Sequence, residues 1–207
     1  MTEFLDLVKA RRSASNFHEG KSITKAELNS IFETVKLAPS AFNLQHSRYI
    51  VVLDNDRKEE IRTAANGQYK VKSASAVIIV VGDKLAYKQA GAIYEGLQML
   101  GIVNKQEYDH LVQDTTSFYE QRGEAFQKEE AIRNASLSAM LFMLAAKNHG
   151  WDTCPMIGFD HKQVRNVLQI PENEEVVLMI TIGKEKTDSR QPRGYRKTVG
   201  EFVKYVE

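Results

Sequence analysis

The chain has 207 residues, a formal net charge of +1 and charges of both signs mixed along its length. That size suits one sizeable core or at most two small domains, and no block of like charge marks a nucleic-acid partner or an acidic membrane surface. The single cysteine, Cys154, excludes an intrachain disulfide and a cysteine-based metal cluster and fits a reducing compartment. Glu3 and Asp6 stand where a secretory leader would need an apolar run, so the expectation is a soluble cytoplasmic protein.

The first helix is expected from Thr2 to Arg12, with Phe4, Leu5 and Val8 on one face and Arg11 continuing that face. A guanidinium on the packed side of a helix is costly unless an anion meets it, either a carboxylate of the protein or the phosphate of a ligand. A second helix, Thr24 to Leu37, stops at Ala38-Pro39, because proline has no backbone N–H to donate. The loop that follows carries Ser40, Asn43 and Gln45, just ahead of a strand from Arg48 to Leu53. Asn and Gln offer a donor and an acceptor side by side, which suits the edge of a heterocycle with alternating carbonyl and N–H groups. Ordinary turn chemistry also uses Ser and Asn.

Further along come a helix from Arg57 to Ala65 and a strand from Ala76 to Val81, whose unbroken apolar run Val77–Val81 marks a strand covered on both faces. Helices are expected over Leu85–Leu100, Lys105–Tyr119 and Glu124–Asn148. Within the last, Ala135 to Ala146 is apolar on nearly every side yet well short of the roughly 20 residues of a membrane span. It reads as a helix buried in the domain centre or in a subunit interface, stopped by Asn148-His149-Gly150.

Trp151 to Asp160 reads as a loop in which Pro155 and Gly158 restrict and release the backbone. It is either a plain buried loop or an apolar shelf whose main-chain donors meet a flat aromatic ring. Asp160 caps a helix over His161–Leu168, and Pro171 separates that helix from a strand over Val176–Ile182. The tail, Lys184 to Glu207, is polar and basic with Arg190, Arg193 and Arg196 at every third residue, then turns apolar at Phe202, Val203, Tyr205 and Val206. The basic stretch is either a solvated tail or an extended segment that aims two arginines at one anion, and the apolar end argues for docking across a partner subunit. The whole reads as one α+β domain over residues 1–207, with helices on both sides of a mixed sheet.

No G-x-G-x-x-G follows a strand and no P-loop is present. The five histidines have no metal-ligand spacing, and there is no G-x-S-x-G elbow. Cys154 reads as a small buried hydrophobe. With no side-chain catalyst in view, a cofactor has to carry the chemistry.

Taken in order, the polar clusters resemble one family, the FMN-dependent nitroreductases. The resemblance rests on Arg11-Arg12-Ser13, on Pro39 to Gln45, and on Gly67-Gln68 ahead of the second strand. It continues in Cys154-Pro155-Met156-Ile157-Gly158-Phe159-Asp160 after the central helix and ends in the basic tail at Arg193 to Arg196, so it spans nearly the whole chain. It implies an α+β homodimer with two FMN sites at the subunit interface, each built from both chains.

Carried over by position, the resemblance puts Arg11 and Ser13 at the FMN phosphate and ribityl chain, with Arg12 near them and Arg193 and Arg196 joining from the tail. Ser15 belongs to this group but stands where many relatives have Arg or Lys. Ser40, Asn43 and Gln45 of the other subunit face the ribityl chain and ring edge. Gln68, with Lys70 beside it, meets the pyrimidine edge, while Pro155, Met156, Ile157 and Gly158 lie along one ring face. Ile157 stands where some members have Glu. The implied reaction is ping-pong: NADH or NADPH reduces the flavin at N5 and leaves, and a nitroaromatic, quinone or related small-molecule acceptor takes its place under a roof formed by Lys105 to Phe126. Storage or sensing of FMN without turnover, and a flavin oxidoreductase specialised for one metabolite, are the alternative readings.

Overall fold

The computed structural model describes residues 3–207; Met1 and Thr2, where the first expected helix begins, lie outside them. Four strands, β1 (Ser47–Val52), β2 (Ala76–Asp83), β3 (Asp152–Met156) and β4 (Glu174–Gly183), pair in the order β1-β2-β4-β3. Strand β2 is central and buried on both faces. Val77, Ile79 and Val81 pack into one core with Phe17, Ile61 and Met179, while Ile78 and Val80 pack into the opposite one with Ile31, Phe142 and Ile180. Each such side chain contributes about 1.5–3 kcal/mol on burial, which is why this unbroken apolar run sits mid-sheet.

The helices are α1 (Phe4–Ala10), α2 (Lys25–Val35), α3 (Asn55–Ala64), α4 (Tyr69–Ser73), α5 (Ala90–Met99), α6 (Lys105–Asn148), α7 (His161–Leu168) and α8 (Val199–Phe202). Local chemistry sets their starts. Thr24 and Glu27 form a reciprocal capping box on α2, Asn104 and Glu107 one on α6, and Asp160 accepts from the backbone N–H groups of Lys162 and Gln163. The two helices expected over Lys105–Tyr119 and Glu124–Asn148 join into one run broken at Gly123, whose φ of 75° and ψ of −179° only glycine adopts without strain. The half of α6 before the break folds back on α5 around Tyr87, Tyr94 and Tyr119. The half after it crosses the sheet, where Gly82 lets β2 meet the backbone of Ala131: a Cβ there would lie 2.6 Å from the carbonyl oxygen.

Three expectations are corrected. The sheet is antiparallel in every strand pair, and the one parallel contact among the described residues is an isolated bridge between Ser13 and Thr153. Two helices rather than one link β1 to β2 and return the chain in the opposite direction. The segment read as a loop after the central helix contains edge strand β3, in register with β4 from Asp152↔Gly183 to Met156↔Met179. Helix α1 ends at Ala10, so Arg11 is its extended C-cap rather than part of a packed face, and Phe4 and Leu5 are exposed. Within its own chain, Ala135 to Ala146 leaves Leu137 and Met140 exposed, which is compatible with the subunit-interface alternative.

Candidate functional site

The chain leaves α1 in extended conformation and lays Ser13 and Ala14 along the free edge of β3, where the Ala14 N–H donates to the Thr153 carbonyl at 3.0 Å. This edge pairing fixes Arg11, Arg12, Ser13 and Ser15 beside the sheet. The tail returns to the same place. Arg12 donates to the Gln191 carbonyl at 2.6 Å, and Arg193 donates to the carbonyl of Lys9 at 2.6 Å and to that of Arg11 at 3.3 Å. Between the two segments lies a cavity of about 180 Å³ walled by Arg11, Arg12, Ser13, Ser15, Arg193 and Arg196, and no carboxylate lines it. Burial, and then the nearby charges of Arg193 and Arg196, push the Arg11 pKa below the ordinary guanidinium value. Among the described residues no acid pairs with Arg11. Arg190, the third tail arginine, also lines the cavity but is paired with the buried Glu185, to which its Nε donates at 3.0 Å. Crowded guanidinium groups without a counter-charge repel one another, and they fit a phosphate, which accepts several charge-assisted hydrogen bonds at once.

Along the same edge, Gln68 at the start of α4 donates from Nε2 to the Gly158 carbonyl at 3.0 Å, and Lys70 Nζ lies 3.6 Å from Cys154 Sγ. Gln68 and Lys70 thus contact β3 and the turn after it, next to Thr153, which bridges to Ser13. Pro155 is half-buried, Met156 buried, and Ile157 and Gly158 exposed. The result is a shelf with an apolar surface, an amide side chain and an ammonium group, suited to a flat heterocycle.

The loop with Ser40, Asn43 and Gln45 stands elsewhere, between α2 and α6. Ser40 Oγ accepts from the Gln45 N–H at 2.9 Å, and Gln45 Nε2 donates to the Asn43 carbonyl at 3.3 Å. Phe42, Asn43 and Gln45 all take left-handed φ, at 53°, 56° and 52°. Asn tolerates this conformation, whereas Phe and Gln hold it at a cost, and such strain collects at ligand clamps. Asn43 and Gln45 are solvent-exposed. Among the described residues, no hydrogen bond or shared cavity links this loop to the arginine cavity or to Gln68.

The structure therefore gathers Arg11, Arg12, Ser13, Ser15, Arg193 and Arg196 in one cavity, sets Gln68, Lys70 and Pro155 to Gly158 beside it, and keeps Ser40, Asn43 and Gln45 apart. Sequence reasoning passed over Asn134, a buried side chain of α6 that holds the Ala41 N–H at 2.8 Å. The available signal was a polar residue inside the apolar half of that helix.

Against known proteins, a profile of the nitroreductase family matches residues 8–184. The chain belongs to the nitroreductase family. It is 68% identical over 206 residues to MhqN of Bacillus subtilis, which carries the name of an NAD(P)H nitroreductase, with all of both chains covered. The crystal structure of a B. subtilis protein described as the nitroreductase ydfN is also 68% identical, with a TM-score of 0.97 over 99% of each chain. A nitroreductase of Exiguobacterium sibiricum, solved in complex with FMN, is 30% identical with a TM-score of 0.90, covering 100% of this chain and 98% of its own.

Proposed function

We propose that the chain is an NAD(P)H-dependent FMN oxidoreductase whose cofactor lies along β3, with its phosphate in the arginine cavity. The observation that carries this is the cavity itself: Arg11, Arg193 and Arg196 crowd together with no acid among them. The names of its relatives support the enzyme class and the cofactor. Bound flavin supplies a two-electron acceptor that later serves as donor, which this chain's side chains do not offer.

The residues divide the binding work. Arg11, Arg193 and Arg196 neutralise the phosphate, and Ser13 and Ser15 offer hydroxyls at the ribityl end. Arg12 holds the tail in place through Gln191. Gln68 and Lys70 meet the polar edge of the ring, and Pro155, Met156, Ile157 and Gly158 exclude water from one face. Ser40, Asn43 and Gln45 come from a second copy of the chain, because their own chain holds them away from the cavity. That assembly also covers Phe4, Leu5, Leu137 and Met140. The reductant and the acceptor, a nitroaromatic, a quinone or a related compound, use the open face in turn beneath the α5–α6 hairpin. A shared pocket suits a chain with no dinucleotide-binding glycine motif.

Initial-rate kinetics test this reading. With NADPH or NADH varied at several quinone concentrations, double-reciprocal plots are expected to be parallel, as a ping-pong order requires. Converging lines would contradict the shared pocket. FMN bound without sustained NAD(P)H oxidation would make the protein a carrier.

A further inference from the structure

The buried Asn134 spends its whole carboxamide on two neighbours. Its Oδ1 accepts from the Ala41 N–H at 2.8 Å, while its Nδ2 donates to the Glu130 carbonyl at 2.8 Å and to Glu130 Oε2 at 3.3 Å. It is 2% exposed, and Glu130 6%. Glu130 is fixed in turn by an ion pair with Arg133 and accepts from the hydroxyl of Tyr119 at 3.4 Å. Ala41 is the last residue before the left-handed stretch that carries Asn43 and Gln45.

We infer that Asn134 is a positioning residue for the cofactor: braced by Glu130, it clamps the strained 40–45 loop so that Asn43 and Gln45 reach the flavin of the partner chain. This rests on the functional reading above. Two features make the clamp more than packing. The loop needs an outside restraint, because its left-handed Phe42 and Gln45 would relax without one. The polarity of the chain of contacts is also fixed: the Ala41 N–H can only donate, so Asn134 must present oxygen to it and its amino group to Glu130.

That polarity gives the test. In Asn134→Ala the Ala41 N–H loses its acceptor, and FMN affinity is expected to fall about fivefold to tenfold, the worth of one buried hydrogen bond. In Asn134→Asp the acceptor remains but two carboxylates face each other, so affinity falls as well. The double variant Asn134→Asp/Glu130→Gln keeps the acceptor for the Ala41 N–H and lets the amide introduced at position 130 donate to the new carboxylate, but the Glu130 main-chain carbonyl loses its donor and Arg133 its ion pair; affinity is expected to rise above that of Asn134→Asp without reaching the parent's. FMN titration of the cofactor-depleted full-length protein reads this by quenching of flavin fluorescence, with amide exchange at Ala41 to Gln45 in parallel. Exchange is expected to speed up in Asn134→Ala and to slow again in the double variant. Variants that melt at lower temperature yet bind FMN like the parent would overturn the inference and leave Asn134 a packing residue. A double variant that folds but binds FMN no better than Asn134→Asp would overturn it too. Should the parent take up no FMN, the functional reading fails, and the exchange pattern alone decides whether Asn134 clamps the loop.

Discussion

Arg11 sits where three guanidinium groups converge, and its own carbonyl helps to hold one of them, Arg193. Removing a group that meets phosphate should therefore cost more than removing one that holds the tail. Arg11→Ala is expected to weaken FMN binding by roughly ten- to hundredfold, from the loss of about 1.5–3 kcal/mol of charge-assisted contact. Arg12→Ala, which only frees the Gln191 carbonyl, should cost about 0.5–1.5 kcal/mol. Equal affinities in parent and Arg11→Ala, measured by fluorescence titration, would make the cluster mere surface charge. His46 gives a separate prediction about stability. Burial holds its pKa down to about 4, against an ordinary 6.5, and its Nδ1 has no partner. Between those two values the unfolded chain takes up a proton that the folded chain refuses. His46 thus lowers stability progressively as pH falls from 6.5 to about 4, by roughly 2–3 kcal/mol in all. Melting temperature should drop across that window in the parent and drop less in His46→Gln.

At the scale of elements, the sequence disclosed whatever a local pattern governs. Pro39 as a helix stop, Asp160 as a cap and the apolar run of β2 showed where elements begin and end, and Gly123 stands in the gap between the helices expected over Lys105–Tyr119 and Glu124–Asn148. Two features were hidden. Strand β3 carries Asp152 and Pro155, which read as loop residues, and only pairing with β4 on one side and Ser13 on the other makes it a strand. The residues that make up each half of the site were legible as polar clusters, but the separation of Ser40, Asn43 and Gln45 from the arginine cavity was not, since it depends on tertiary packing. The break in α6 is testable. A Cβ at Gly123 meets no atom within 4 Å, so Gly123→Ala acts on the backbone alone. It should destabilise the folded state by about 1–3 kcal/mol or straighten the helix and lift the roof of the pocket. Denaturant melts together with an increased KM for the acceptor would register it; a variant unchanged in both would show that the break carries no strain.

For the whole molecule, large apolar side chains are exposed in several places, among them Phe4 and Leu5 on α1, Met99, Leu100 and Ile102 between α5 and α6, Leu137 and Met140 on α6, and Phe202, Tyr205 and Val206 in the tail. Exposed apolar side chains that gather into contiguous patches mark interaction surfaces. No helix among the described residues is long and apolar enough to cross a membrane. In the homodimer proposed above, the 40–45 loop of one chain meets the arginine cavity of the other. Mixing an Arg11→Ala chain with an Asn43→Ala chain should then give heterodimers with one intact site and a tight-binding FMN fraction that neither parent variant shows. A monomer that retains flavin at high dilution would refute the shared site. The most direct measurement is the visible spectrum of the purified protein during anaerobic addition of NADPH or NADH. Flavin bands are expected that bleach on addition of the nucleotide and return when a quinone is added. A colourless protein that takes up no FMN on reconstitution would contradict the account.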